Sequence, residues 1–382
     1  MALGKTGTKT DIPELAPGSR LLCGPGPSNV HPAVLEAMHK PMLGHLDPYF
    51  WDILLHLVDM LAAAFRRNDG LTLCLSASGT SGMEAGMASL IEPGDKIIVA
   101  HAGFFGARLL EMAGRYQADV VELSAPFGQI VPIDAVTDAL AASPDARVVA
   151  LVHAETSTGT SYPLKELAEA IRASGSDALL FADCVTSLGA QELETGAWGV
   201  DYAYACSQKA LGCPPGLSPA SLSERALDRI HARKTPVPFS FDFELLKKYW
   251  TDRPVTYHHT LPILQYYALY TGVKLLLEEG LEARWARTED AGRYFQAQMA
   301  ERGYTLLSDP EHTLAQLSAV NVPEGVDGKE IQLRILREHG IEVGGGLGPT
   351  APPIWRVGLM GVNANRETAD RVLQAFDAVL PG

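Results

Sequence analysis

Apolar runs rich in Val, Ile, Leu and Ala alternate with segments of helical periodicity from residue 71 onward. "LTLCLSAS" is followed by "GMEAGMASLIEPGD", "DKIIVAHA" by "FFGARLLEMAGRYQA", and "DARVVALVHAE" by "PLKELAEAIRASG"; "ALLFAD" and "VDYAYACS" come next. Strands that read as short continuous hydrophobic runs are buried on both faces, and intervening helices let them run parallel. The pattern predicts an α/β domain with a mainly parallel central sheet.

The pattern changes in "TYHHTLPILQYYALYTGVKLLLEEGLEARWARTEDAGRYFQAQMAERG", a long helical reading interrupted early by Pro262 and taken as a bridge between domains. Beyond it, "YTLLSD", "AQLSAVNVP", "GKEIQLRILREHG", "IEVGGGLG", "IWRVGLMG" and "NRETADRVLQAFDAVL" predict a smaller C-terminal α+β domain. The first twenty residues carry no periodicity and read as an arm. The expected division is an N-terminal arm over 1–20, a large domain over 21–280 and a small domain over 281–382.

A chain of 382 residues, 47% hydrophobic and 20% charged, exceeds the usual size of a single core, which agrees with two domains. The formal net charge of -14 repels phosphate backbones, and no basic cluster interleaved with aromatics offsets it, so no nucleic-acid partner is expected. The N-terminus lacks the apolar core of a signal peptide, and no later segment reads as long and charge-free enough to cross a bilayer. The expectation is a cytoplasmic protein without a membrane partner. Cys23, Cys74, Cys184, Cys206 and Cys213 show neither a CxxC pair nor metal-type spacing with histidine, so reduced, mostly buried thiols and no metal are expected.

In open α/β sheets ligands bind outside the carboxyl ends of strands, so the informative residues are those where an apolar run stops. In "LSASGTSGMEA" Ser78, Gly79 and Thr80 would offer free N–H groups, hydroxyls and a helix dipole, either as a phosphate seat or as an ordinary N-cap. It is not a Walker loop, since no GK[ST] follows. In "ALLFADCVTS" Asp183 ends an apolar run, where a carboxylate needs a cation or several donors, unless it merely caps a helix. "VHAETSTG" offers the hydroxyls of Thr156, Ser157 and Thr158, and "ACSQKALGCPPGLSP" places Lys209 among small, apolar and proline residues.

Singly these stops are ambiguous; together they match pyridoxal phosphate. That cofactor needs an amine for a Schiff base, a carboxylate for its ring nitrogen, an anion site, and flat or apolar surfaces against its ring. Lys209 would be the amine and Asp183 the carboxylate, with Ser78, Gly79, Thr80 and Gln208 on phosphate. Phe105 could stack on one ring face and Val185 press on the other.

"GPGPSNV", "SASGTSGMEA", "SQKALGCPPG", "YHHTLP" and "GGLGP…WRVGLMGVNA" resemble, in order and from about residue 22 to the end, the class V aminotransferases of the alanine–glyoxylate and serine–pyruvate branch. The resemblance implies fold type I of the PLP enzymes and a homodimer with active sites at the subunit interface. It implies that Tyr257 and Thr260 reach the partner's cofactor phosphate and that Thr156 touches the phenolic oxygen. Arg356, which read alone is a structural ion-pair former or a binding residue, resembles the arginine that grips the substrate α-carboxylate, with Gly26 offering backbone to the same group. Two departures stand out: Phe105 occupies a position where the family often has Trp, and "SASGT" replaces an SGSGH-type loop, so that Thr80 supplies a hydroxyl for an imidazole.

The implied reaction is ping-pong transamination between small amino acids such as alanine or serine and 2-oxo acids such as glyoxylate or pyruvate. No second cation is evident in the sequence for a distal carboxylate, which favours small substrates. Gln208 before Lys209 argues against a cysteine desulfurase, which typically has histidine there. An (S)-ureidoglycine–glyoxylate or 2-aminoethylphosphonate aminotransferase shares the fold, and a PLP-binding protein without turnover is the alternative of a different class. His45 is read as a structural hydrogen-bonder or a residue near the site. His258 and His259, being adjacent, do not form a one-face helical metal pair.

Overall fold

A computed structural model describes residues 14–348 and 351–380. The first thirteen residues of the expected arm lie outside the described residues, as does Pro349 of the "GGLGP" motif. After helix α1 (Pro48–Phe65) the chain enters strand β1 (Leu71–Leu75), helix α2 (Gly79–Leu90), strand β2 (Lys96–His101), helix α3 (Phe104–Arg115) and strand β3 (Asp119–Ser124). Helix α4 (Ile133–Ala142), strand β4 (Val148–Val152), helix α5 (Leu164–Ala173) and strands β5 (Leu179–Asp183), β6 (Tyr202–Tyr204) and β7 (Ser218–Leu222) follow. These strands form one seven-stranded sheet in the order β1-β7-β6-β5-β4-β2-β3.

Pairing is parallel from β6 through β3, while β7 runs antiparallel to both β1 and β6. Every residue of β1, β4, β5, β6 and β7 is buried, as continuous apolar runs covered on both faces require. The exception in character is β7: "SPASL" puts Pro219 inside an interior strand, where sequence gives no strand signal. Pro219 has no N–H to donate, but its carbonyl accepts Ala205 N at 2.8 Å. The edge strand β3, half exposed with Asp119 and Glu122 in it, is likewise absent from the apolar pattern.

The bridge is two helices. Helix α6 (Ile263–Glu279) begins directly after Pro262, and helix α7 (Leu281–Glu301) follows a break at Gly280, whose φ of 88° lies in the left-handed region that favours glycine. Strand β8 (Leu317–Asn321), helix α8 (Gly328–His339), and strands β9 (Gly344–Gly345) and β10 (Ile354–Gly358) precede the last helix, α9 (Arg366–Val379). The three strands make an antiparallel sheet in the order β8-β10-β9. No strand longer than an isolated bridge at Leu306 forms in "YTLLSD".

Two large apolar clusters result. One takes in residues from Val34 to Leu281 around the seven-stranded sheet, and the other gathers residues from Ala291 to Val379 with Cys23. Here the structure differs from a boundary drawn at residue 21: Leu21–Leu22 pair in parallel with Ile341–Glu342, and Cys23 N donates to Glu342 O at 2.9 Å. The apolar "LLC" extends the smaller unit because an unpaired strand edge there needs donors and acceptors.

Helix α1 is long and apolar enough, by length and composition alone, to cross a membrane, although it carries Asp52 and Asp59. Its Phe50, Leu54, Leu57, Leu61, Ala64 and Phe65 are buried in the larger core, the behaviour of a core helix. All five cysteines are buried and free.

Candidate active site

The carboxyl ends of β1, β4, β5 and β6 surround a half-open cleft of about 630 Å³, counting the space open to solvent. Ser78, Gly79, Thr80, Phe105, Thr156, Asp183, Val185, Gln208 and Lys209 all line it, so the structure brings together nine of the sequence-selected residues. Gly26 and Arg356 stand beside Lys209 and Thr156, whereas Tyr257 and Thr260 do not reach this cleft.

Asp183 ends β5 and is buried. One carboxylate oxygen accepts Val185 N at 2.9 Å and the other accepts the Tyr204 hydroxyl. Burial pushes its pKa from 3.8 up to about 6 against the pull of those two bonds. No Lys or Arg forms an ion pair with it among the described residues, so the carboxylate is held in place with its cationic partner still to be supplied. Tyr204, on the neighbouring strand, looked like plain core in the sequence, and its hydroxyl is what orients the acid.

Lys209 lies in the connection 205–217 between β6 and β7. That connection is tied down locally: Ser207 N donates to Leu217 O at 3.0 Å, Ser207 Oγ to Pro214 O at 2.6 Å, and Cys213 N to Ser207 O at 3.0 Å. Ser28 Oγ holds Lys209 O at 2.8 Å, and the Lys209 amine donates to Pro25 O. Burial lowers the amine's pKa, nearby Cys206 raising it and Arg356 lowering it further. Gly26 is pressed against this side chain: its φ is 107°, and a Cβ there would lie 2.5 Å from Lys209 Cδ and 2.6 Å from Nζ.

The start of α2 is an open donor end. Ser78 is its N-cap residue but its hydroxyl makes no cap hydrogen bond, leaving N–H groups of the first turn available to a ligand. Gly79 allows close approach, since a Cβ would stand 3.2 Å from both Cys206 Cβ and Val185 Cγ2. Beside it, the buried Oε1 of Gln208 has no hydrogen-bond partner. A half-turn of that amide presents N–H donors to the same place.

Phe105 sits in the first turn of α3, whose N-cap residue, Gly103, has no side chain to cap it. Glu155, just past β4, does so from outside, accepting Phe105 N, Gly106 N and Ser157 N, and Ser157 Oγ at 2.6 Å. Burial raises the Glu155 pKa and these donors lower it. The signal for Glu155 was present, an acid ending the run "VVALVHAE", but the adjacent hydroxyls drew the sequence reading instead.

Arg356 projects from β10, buried, with Nε donating to Gly345 O at 2.6 Å and Nη1 to Thr156 O at 3.2 Å. Burial brings its pKa down to about 10, Glu155 opposing that. It has carbonyl acceptors but no ion pair among the described residues, which overturns the ion-pair option and leaves a buried guanidinium suited to a carboxylate. A further cation not selected from the sequence, Arg108 of α3, also lines the cleft.

Tyr257 and Thr260 face solvent, their hydroxyls 3.4 Å apart. Tyr257 is 55% exposed and its ring is tilted against that of His45, with centroids 5.4 Å apart; Met42 (72%) and Tyr49 (66%) are also exposed. His45 therefore belongs with Tyr257 and not with the cleft of its own chain. His258 and His259 bond to one another at 2.7 Å, and His259 Nε2 lies 2.9 Å from Ser76 Oγ, which links the Tyr257 segment to the end of β1.

The residues fit pyridoxal phosphate: a half-buried amine, a buried carboxylate without an ion-pair partner among the described residues, an uncapped helix start with an unpartnered amide, and Phe105 and Val185 as walls.

Residues 71–362 match the family profile described as "Aminotransferase class-V". The chain is 37% identical to the alanine–glyoxylate aminotransferase of Drosophila melanogaster, covering 95% of this chain and 92% of that protein. It is 35% identical to the (S)-ureidoglycine–glyoxylate transaminase of Bacillus subtilis, covering 96% and 92%. The crystal structure of an alanine–glyoxylate aminotransferase from Nostoc sp. superposes with a TM-score of 0.94 at 44% identity, covering 98% of each chain.

Proposed function

The chain belongs to the class-V aminotransferase family, and on that premise we propose that it is a pyridoxal phosphate-dependent transaminase. It moves the amino group of a small amino acid, alanine or serine, to a small 2-oxo acid, glyoxylate or pyruvate. The observation that carries this reading is that buried Asp183 and half-buried Lys209, neither in an ion pair among the described residues, share one cleft beside an uncapped helix start. When bound, the cofactor supplies an electron sink for the pair left at the amino acid's Cα.

The protein's groups do the rest. Asp183, oriented by Tyr204 and Val185 N, holds a proton on the ring nitrogen. Lys209, its pKa lowered by burial, would hold the cofactor at rest and, as a free amine, serve as the general base and acid for the proton on the substrate Cα. Ser78, Gly79, Thr80 and Gln208 hold phosphate, Phe105 and Val185 flank the ring, and Thr156 meets the phenolic oxygen. Arg356, with Gly26 beside it, binds the α-carboxylate that donor and acceptor share, so one residue serves both half-reactions. The exposed large side chains of Met42, Tyr49 and Tyr257 support a homodimer in which Tyr257 and Thr260 would complete the partner's phosphate site.

The test is spectroscopic. The purified protein is scanned for the absorbance of lysine-bound cofactor, and single amino acids are then added; alanine or serine bleaches the band and glutamate does so more slowly. A faster glutamate half-reaction sinks the small-substrate reading. A bound chromophore without 2-oxo acid formation supports a binding protein without turnover. The likeness to the Bacillus subtilis transaminase keeps (S)-ureidoglycine as a second donor to try.

A further inference from the structure

Arg108 is a cation in the cleft that none of these roles uses. It lies one turn beyond Phe105 on α3, with its guanidinium carbon 5.0 Å from the Phe104 ring centroid and 5.2 Å from that of Phe105. Its Nη1 donates to Thr80 Oγ1 at 3.2 Å. It forms no ion pair among the described residues.

The direction of that hydrogen bond matters. Thr80 Oγ1 accepts from the guanidinium, so the hydroxyl's own proton is free to be donated elsewhere. Thr80 stands in the first turn of α2, where the uncapped N–H groups already point. Charge balance adds a second argument. A phosphate ester brings roughly −1.5 to −2 at neutral pH, and a helix N-terminus answers with only about half a positive charge. Arg356 is committed elsewhere, to Gly345 O and Thr156 O. Among the described residues, Arg108 is the cation hydrogen-bonded at the α2 end.

We propose that Arg108 is the counter-charge of the phosphate seat: it polarises the Thr80 hydroxyl toward the phosphate and offsets the dianion, while its guanidinium lies against the Phe104 and Phe105 rings. The proposal rests on the reading that this cleft takes pyridoxal phosphate. It assigns Arg108 to the cofactor and not to a distal carboxylate of the substrate, so small substrates remain favoured.

The experiment titrates apoprotein with pyridoxal 5′-phosphate and, separately, with pyridoxal, which lacks the phosphate, following absorbance and intrinsic fluorescence. Arg108→Met keeps an unbranched apolar side chain and removes the charge; Arg108→Lys restores the charge. The methionine variant should bind the phosphate ester about tenfold or more weakly, with pyridoxal binding unchanged and the lysine variant recovering most of the loss. Thr80→Val should lose affinity in the same selective way, and the double variant should lose less than the product of the two single effects. Unchanged affinity for the phosphate ester in Arg108→Met overturns the proposal, as does an equal loss for both ligands. So does a selective loss of reactivity toward glutamate or aspartate with cofactor affinity intact. If the parent protein takes up neither ligand, the reading of the cleft itself fails.

Discussion

Glu155 Oε2 accepts the backbone amide of Phe105 at 3.1 Å, so an acid beyond the end of one strand fixes the first turn of the helix that carries a wall of the cleft. The same oxygen takes Gly106 N at 3.0 Å, and the other takes Ser157 N and Oγ. Four donors converge on one buried carboxylate. The wall of the cleft is therefore held by electrostatics as much as by packing.

Glu155→Ala strands those donors, each unsatisfied buried group costing about 1–3 kcal/mol. The expected result is a melting temperature lower by several degrees together with weaker cofactor uptake. Thermal unfolding followed by circular dichroism checks the first and apoprotein titration the second.

Asp183 gives a pH signature to the apoprotein. Its carboxyl ionises near 3.8 when unfolded and near 6 when folded, because of burial. Between those values the unfolded chain has lost the proton that the folded chain keeps, so stability falls as pH rises through that window. The full effect is on the order of 3 kcal/mol. Urea unfolding of the apoprotein at pH 4.5 and pH 7 should show this fall, and Asp183→Asn should lack that part of it.

Lys209→Ala should abolish the lysine-bound cofactor absorbance and reduce turnover by roughly a hundredfold or more, the contribution of a positioned general acid and base. Normal turnover in this variant would refute the central assignment.

Arg356→Ala should raise KM for every amino acid and 2-oxo acid tested by roughly 10- to 100-fold, the worth of charge-assisted hydrogen bonds to a carboxylate. Cofactor affinity should be nearly unaltered. Steady-state kinetics beside a cofactor titration separates the two.

Gly26→Ala forces a Cβ within 2.8 Å of three Lys209 side-chain atoms in a backbone conformation suited to glycine. The lysine must move, so the cofactor absorbance should shift or weaken. Destabilisation of at least about 1 kcal/mol is expected from the backbone alone.

Legibility followed chemistry at strand ends. Lys209 and Asp183 were readable because each places a charge where an apolar run stops. Glu155 stands in an equally informative place and was passed over for its hydroxyl neighbours. Arg108 gave no such signal: within "FFGARLLEMAGR" an arginine reads as a solvated helix position, and only the packing of α3 on α2 turns it toward Thr80. Tyr204 read as core, which it is, with its hydroxyl spent on Asp183. In the fold, β7 was hidden by Pro219 and two serines, which sequence propensity assigns to turns, although the sheet buries them.

The reversed direction of β7 has a mechanical consequence. Because it runs against β6, the chain leaves the sheet and returns to it at the same end of the strands, and no crossover helix is needed in between. The segment 205–217 is therefore anchored at both ends in interior strands, with Ser207 bonded across its neck. The amine is mounted on a fixed jig, and a substrate must come to it. Extra residues inserted here would slacken the jig, whereas the half-exposed β3 edge can absorb such changes far from the chemistry.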